Sequence, residues 1–402
     1  MKRHLLACTA AFAASLLALP VFAASVPTGI APSAEKNAAE MPVLSAASPA
    51  QALEAPNSVY KIFTPKAQTN ASVIDYSVWD EALGNIVLRM GQSIRKRSRR
   101  PEPPIGTRVV NGHKSAYRLE GSRVTFSYLN DEYRTGLTEY RQDLERIANK
   151  VDITTLSRKE QLAFWFNLHN VTMIEQIALN YPVRRPNKLL VGPNKQPLNE
   201  AKLLTIRGVP LSLRDIRENI VYANWNNPDV MYGFFRGNIG GPALQNYAIT
   251  SDNVDYIMDF QGDEFVNSLR GFHESRQALK VSTLYEEARP YFFKNWPLDL
   301  KTHLKWHAGD DVLKELASDK PVVFDRYDPI VADLMAGDRA RTANLNVQIN
   351  GQSSMNMSPE IARLFRELDE KTEIMRKRGM IKSRTGTVTI EDVETIDVDI
   401  PD

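Results

Sequence analysis

The alternation of apolar and polar positions is most informative between Ser157 and Pro182, S-R-K-E-Q-L-A-F-W-F-N-L-H-N-V-T-M-I-E-Q-I-A-L-N-Y-P. Ser157 followed three residues later by Glu160 is a capping box, which satisfies two backbone donors at a helix start, and Pro182 disfavours helix in the residue before it. Between these signals Leu162, Ala163, Phe164, Trp165, Phe166 and Leu168 cover every side of the helix rather than one stripe. A helix that is apolar all round must be enclosed, so this one is predicted to be the central element of the fold. Asn167, His169 and Asn170 lie inside that apolar sleeve, and each needs a polar partner or costs roughly 1–3 kcal/mol. Two readings follow: the three tie the helix to neighbouring backbone, or they line a pocket.

The same patterning predicts the other elements. Trp79, Leu83, Ile86, Val87 and Met90 recur at helical spacing after a Ser77 cap, and Asn111-Gly112 is a hairpin signal. A strand over Arg123 to Tyr128 leads into a helix carrying Leu137, Tyr140, Leu144 and Ile147, and Arg207-Gly208 joins two short apolar runs as a second hairpin. Ser212 and Asp215 cap a further helix; Val230 to Phe235 reads as a strand and Gly237 to Pro242 as a tight loop. Helices follow at Thr250 to Phe265, from Leu284-Tyr285 and from Trp296 to His307, with short strands at Leu279–Val281 and Val322–Phe324. Short strands among longer helices, without regular alternation, predict a single mixed α+β domain over residues 58–330. In the extension 331–402, Ser358 and Pro359 open a helix over 359–378 with Ile361, Leu364, Phe365, Leu368 and Met375 on one face, and an acidic tail follows. That helix is expected to dock on the domain or on a partner.

The N-terminus changes the picture of where the chain works. Met1-Lys2-Arg3, an apolar run from Leu5 to Phe22 and a small-residue site near Ala23 read as a cleavable signal peptide over residues 1–23. Residues 24–57, rich in Ala, Pro and Ser, read as a flexible leader. Cleavage removes Lys2 and Arg3 and no acid, so the formal charge of +2 becomes zero, and no nucleic-acid partner is expected. No other stretch approaches the apolar length of a membrane helix, so the expected product is secreted or periplasmic without a transmembrane segment. Cys8, the only cysteine, leaves with the signal, which excludes disulfides, thiolate nucleophiles and cysteine metal ligands.

Candidate chemistry is sparse. The basic run Arg95 to Arg100 is either a solvated face or a grip for phosphates of lipid or polysaccharide. His303 and His307 put two imidazoles on one helix face, a spacing that can hold zinc. The first His has no Glu beside it as in a metalloprotease helix, and a third ligand must come from Asp310, Asp311 or elsewhere, so no metal is assigned. No Walker loop, dinucleotide fingerprint or nucleophile elbow is present, and no cofactor is expected.

Ala163 to Asn170, Tyr181-Pro182, Ser212 to Glu218, Asn227 to Leu244 and Tyr327-Asp328-Pro329 together resemble the DUF547 family of domains of unknown function, over roughly residues 70 to 330. Members commonly show A-F-W-I-N-L-Y-N, Y-P, S-L-D-D-I-E-H, D-P-R-I-H-F-A-L-x-C-x-S-x-S-C-P-x-L and Y-D-W at these places. The departures are instructive. The resemblance puts Cys at Arg236 and Gly241, His at Glu218 and Met231, and Tyr at His169. If the family pattern reflects Cys-His chemistry, this chain lacks it. What the resemblance leaves is a possible pocket of Asn167, His169, Asn170, Glu218, Gly240 and Gly241, in which the Gly-Gly-Pro amides cradle an oxygen or merely permit a turn. The first expectation is a non-catalytic envelope protein that binds a cell-envelope ligand or a protein partner. The alternatives are a hydrolase-like enzyme that uses His169 as general base with Glu218 or Asp215, and a purely architectural protein.

Overall fold

The computed structural model describes residues 5–7, 58–103, 106, 108–325, 328–339, 346–349, 352–356 and 358–381. The leader 24–57, the acidic tail, Tyr327 and all of the signal segment except Leu5–Ala7 lie outside the described residues. Leu5–Ala7 pairs in parallel with Val73–Asp75.

Among the described residues the α-helices, in chain order, are α1 Ser77–Ile86, α2 Asp131–Lys150, α3 Arg158–Leu179, α4 Val254–Val266, α5 Leu284–Phe292, α6 Leu298–His307, α7 Asp310–Leu316 and α8 Pro359–Lys377. The strands are short. Val322–Asp325, Leu279–Ser282 and Phe272–Glu274 form a three-stranded mixed sheet, with Leu279 opposite both Val322 and Glu274. Val87–Arg89 pairs with Ser122–Val124, and Leu204–Ile206 pairs with Val209–Leu211. The architecture is the mixed α+β arrangement that the sequence predicts.

The central helix is α3. Phe164, Trp165, Phe166, Leu168, Val171, Met173, Ile174 and Ile177 are fully buried, and each large side chain so enclosed stabilises the fold by roughly 1.5–3 kcal/mol. Around it pack α2, α4, the strand Val73–Asp75 and a π-helical segment, Asp215–Tyr222. Its start is built as half a capping box. The Ser157 hydroxyl accepts from the Glu160 amide at 3.1 Å, while the Glu160 carboxylate turns outward to accept from the Ile74 amide. Ser212 and Asp215 make the reciprocal pair in full, since each side chain accepts from the other's amide, at 3.2 and 2.7 Å.

Four local expectations are corrected. Val87–Arg89 leaves the first helix as a strand, and the strand expected over Arg123–Tyr128 stops at Val124, since Phe126–Tyr128 is a 3-10 turn. Asn111-Gly112 forms no hairpin: Gly112 has a positive φ of 69° but packs against Glu360 of α8, and the segment has no strand on either side. Val230–Phe235 is not a strand. Pro228–Gly233 is a 3-10 helix, with Asn227 capping the Asp229 amide, and it is covered by α4 and α5. An apolar run of this length does not separate the two periodicities, and Pro228 at the first position favours the helical one.

α8 docks on this domain. Lys371, 2% exposed, donates to the carbonyls of Met90 at 2.7 Å and Leu119 at 2.6 Å, and Glu367 forms a two-pronged pair with Arg118. Leu334, Met335, Ile361 and Leu364 form a small apolar cluster beneath it. Among the described residues no helix is long and apolar enough to cross a membrane.

Candidate functional site

The six residues picked from the sequence point in three directions. Asn167 exchanges two hydrogen bonds with the backbone of Ile249, donating at 2.6 Å and accepting at 3.3 Å, and so ties α3 to the approach of α4. Asn170 donates to the Gly233 carbonyl at 3.0 Å and accepts from the Phe235 amide at 2.9 Å, which fixes the chain just beyond the 3-10 turn. His169 and Glu218 belong to a charged cluster, and Gly240 and Gly241 lie at a separate cleft.

The charged cluster forms where α3, the segment Asp215–Tyr222, residue 236 and α5 meet. Arg217 and Arg236 both grip the Glu287 carboxylate of α5, with contacts between 2.6 and 3.2 Å. Tyr222 completes the ring, 3.2 Å from Arg236 and 3.3 Å from Glu287. Arg217 also donates to His169 Nε2 and to Asn199, each at 3.1 Å. A guanidinium only donates, so Nε2 of His169 is the acceptor and its proton sits on Nδ1, directed at Asn170 Oδ1 3.1 Å away. Burial and then the two guanidiniums hold the His169 pKa well below its ordinary value. Burial pushes the Glu287 carboxyl up, but Arg217 and Arg236 outweigh it and hold the group well below the usual carboxylate range. Glu218, with its pKa raised by burial and by Glu287, faces Arg214 at 3.5 Å rather than His169. Asp215 is taken up by Tyr60, Lys202 and Ser212. His169 therefore meets an arginine and an amide where the general-base alternative needs a carboxylate.

Gly240 and Gly241 have their amides committed to backbone, Gly240 to the Asp328 carbonyl at 3.1 Å and Gly241 to the Asn238 carbonyl at 3.4 Å. The close approach is what requires glycine at 240, because a Cβ there would lie 2.6 Å from the Asp328 nitrogen. Gly240 lines a water-sized cavity of about 10 Å³ with Tyr117, Arg270, His273, Lys280 and Asp328. Next to it, sharing His273 and Lys280, opens a cleft of about 760 Å³ walled by Arg95, Arg97, Glu315 and Arg378. His273 donates from one ring nitrogen to the Leu269 carbonyl, 3.1 Å away, and its other nitrogen faces Arg97 at 3.2 Å and Asp325 at 3.4 Å. Burial lowers its pKa, so the ring is a neutral acceptor on the cleft wall. Arg95 is paired with Glu315 at 2.7 Å, whereas Arg97 and Arg378 are exposed.

His303 and His307 do project from one face of α6, with ring centroids 5.1 Å apart. Their acidic neighbours are Asp229, Asp263 and, at 4.0 Å from His307, Asp259. Asp310 and Asp311 are exposed on α7, and neither belongs to the cluster.

The domain is thus an α+β unit in which a motif-bearing helix is locked by an Arg-Glu-Arg cluster. Residues 153–266 match the model of a family described as a protein of unknown function, DUF547. That span holds α3, both arginines, the 3-10 turn, the Gly-Gly-Pro loop and α4, and is narrower than the stretch over which the resemblance was read. No curated protein and no solved structure matches the chain.

Arg217 and Glu287 were not singled out from the sequence. Arg217 stands where the family's S-L-D-D-I-E-H has Glu, and Arg236 where it has Cys, so two new cations at motif positions call for a buried acid. Nothing in the sequence points to Glu287, fifty residues or more from both arginines. His273 and Lys280 carry no motif at all.

Proposed function

We propose that the chain is an exported, non-catalytic binding protein of the cell envelope, and that the cleft beside Gly240 receives an anionic envelope polysaccharide. One observation carries the reading: the positions the family resemblance gives to thiols hold Arg236, clamped on Glu287, and Gly241, with its amide bonded to Asn238. Neither offers a nucleophile. The adjacent cleft, by contrast, is lined by Arg97 and Arg378, both exposed, and by the half-buried Lys280, and the rest of the basic run, Lys96, Arg99 and Arg100, is exposed. Ile94 and Leu269 are the apolar side chains of its wall, so an acyl chain would have little to bury against, whereas an anionic glycan would meet Arg97, Lys280 and Arg378, set among the carboxylates of Glu274, Asp311 and Glu315. The reading of residues 1–23 as a signal supports delivery to the envelope.

Isothermal titration against anionic and neutral envelope glycans tests this reading. Micromolar binding of the anionic polymer that weakens with salt, and is lost on Arg97→Ala with Lys280→Ala, supports it. Equal affinity for neutral glycans, or turnover of any of them, refutes it. Mass analysis of the exported chain checks cleavage near Ala23.

A further inference from the structure

The 3-10 turn Pro228–Gly233 has a second polar face, turned toward α4 and α6. His303 and His307, one helical turn apart, direct one nitrogen each at the same carboxylate oxygen. Asp229 Oδ1 is 2.9 Å from His307 Nε2 and 3.8 Å from His303 Nδ1, and the three atoms all lie within 4.8 Å of one another. The opposite nitrogens are held from behind. Asp263 of α4 accepts from His307 Nδ1 at 2.8 Å, and the Tyr232 hydroxyl is 2.8 Å from His303 Nε2 and 3.2 Å from the Tyr285 hydroxyl. Gly262 makes room for the His307 ring, because a Cβ there would fall 2.5 Å from Cε1. Asn267 pins the end of α6 by donating to the His307 carbonyl at 2.7 Å.

A plain charge clamp explains half of this. An imidazolium at His307 between Asp229 and Asp263 satisfies all three groups. It does not explain His303, which is buried at 9% exposure and held on Nε2 by a neutral phenol. Its Nδ1 faces the carboxylate at 3.8 Å, too far for a hydrogen bond. A cation between them, with the ring proton on Nε2 toward the Tyr232 oxygen, gives Nδ1 a close partner. Two imidazoles and a carboxylate on one side, each imidazole oriented through its far nitrogen by an oxygen partner, is the donor set and outer support of a zinc-type centre with an open fourth position.

We infer that Asp229, His303 and His307 bind a divalent transition-metal ion, Zn²⁺ foremost, with Asp263 and Tyr232 as positioning residues. The exposed carboxylates of Asp259 and Asp263, 62% and 56% exposed, lie on the Nδ1 side of His307, behind the ring as seen from the ion. The ion joins the turn to α6, and Asp263 of α4 supports it from behind His307.

The test uses the full-length protein stripped with chelator and titrated with Zn²⁺ against a fluorescent competitor, alongside Co²⁺ absorption. One ion per chain is expected, with Co²⁺ giving the intense visible bands of a tetrahedral nitrogen and oxygen site. His303→Ala keeps the His307 clamp, so the fold stands, and it should lower the affinity at least a hundredfold; Asp263→Asn should lower it ten- to a hundredfold. Asp229→Asn, on a partly exposed residue, gives an independent loss without a core substitution. No stoichiometric Zn²⁺ in the wild type, or an affinity unchanged by both His303→Ala and Asp229→Asn, overturns the inference. Loss on Asp259→Asn with retention in His303→Ala overturns it too, by placing the ion on the outer side of His307.

Discussion

Two polar clusters flank the 3-10 turn Pro228–Gly233, and they are built to opposite principles. Around Glu287 the charges saturate each other: two guanidiniums share one carboxylate, Tyr222 adds its hydroxyl, and His169 accepts from what remains. Around Asp229 they do not, because two imidazoles converge on one oxygen and only one of them reaches it. The first cluster sits where the family motif puts Tyr, Glu and Cys, yet it is closed. The second matches no motif and leaves His303 Nδ1 beyond hydrogen-bond reach of the carboxylate it faces. A site's capacity for chemistry follows from which polar groups remain unsatisfied after folding, not from where a motif falls.

The largest effect that sharpens this contrast is expected at Glu287. Glu287→Gln leaves Arg217 and Arg236 facing each other without their anion and should destabilise the fold by about 3 kcal/mol in urea unfolding. If stability is unchanged, the cluster is not closed. Acid should weaken the same cluster in two stages. The pKa of His169 is depressed by folding, so its contribution is present above the ordinary 6.5 and is lost as pH falls below it. Glu287, also depressed, follows below its ordinary 4.5. An acid dependence of the thermal midpoint that is the same in wild type and in His169→Gln would break the account, since His307, raised to about 9, acts in the opposite direction and is common to both.

Next in size is the metal. Zn²⁺ at about a hundred times its dissociation constant should add roughly 2.7 kcal/mol to the wild type and nothing to His303→Ala, read as a shift of thermal midpoint. The smallest effect is at the open cleft. Arg97→Ala and Lys280→Ala remove exposed or half-exposed cations, and each should change stability by less than about 0.5 kcal/mol while weakening capture of anionic glycan.

Much of the frame was legible in the sequence and much of the site was not, for separable reasons. α3 announces itself because its cap is local and its apolar sleeve has no other explanation. The turn at Arg207-Gly208 is legible for the same reason: both residues take positive φ, 51° and 78°, between two short apolar runs. Asn111-Gly112 carries as strong a local signal, but the chain around it packs on α8, and tertiary contact overrides turn preference. The i, i+4 pair His303 and His307 was visible; Asp229, more than seventy residues earlier, was not, because only the fold brings the turn to α6. The two arginines could be noticed as departures from the family pattern, but their shared partner could not.

The most direct test is a long-range proton–nitrogen NMR spectrum of the imidazoles, recorded with and without Zn²⁺. The account predicts that His169 stays neutral with its proton on Nδ1 well below pH 6.5 and ignores zinc, while His303 and His307 shift together when the ion is added. A His169 that titrates near 6.5, or a zinc response at His169 with none at His303, would contradict it.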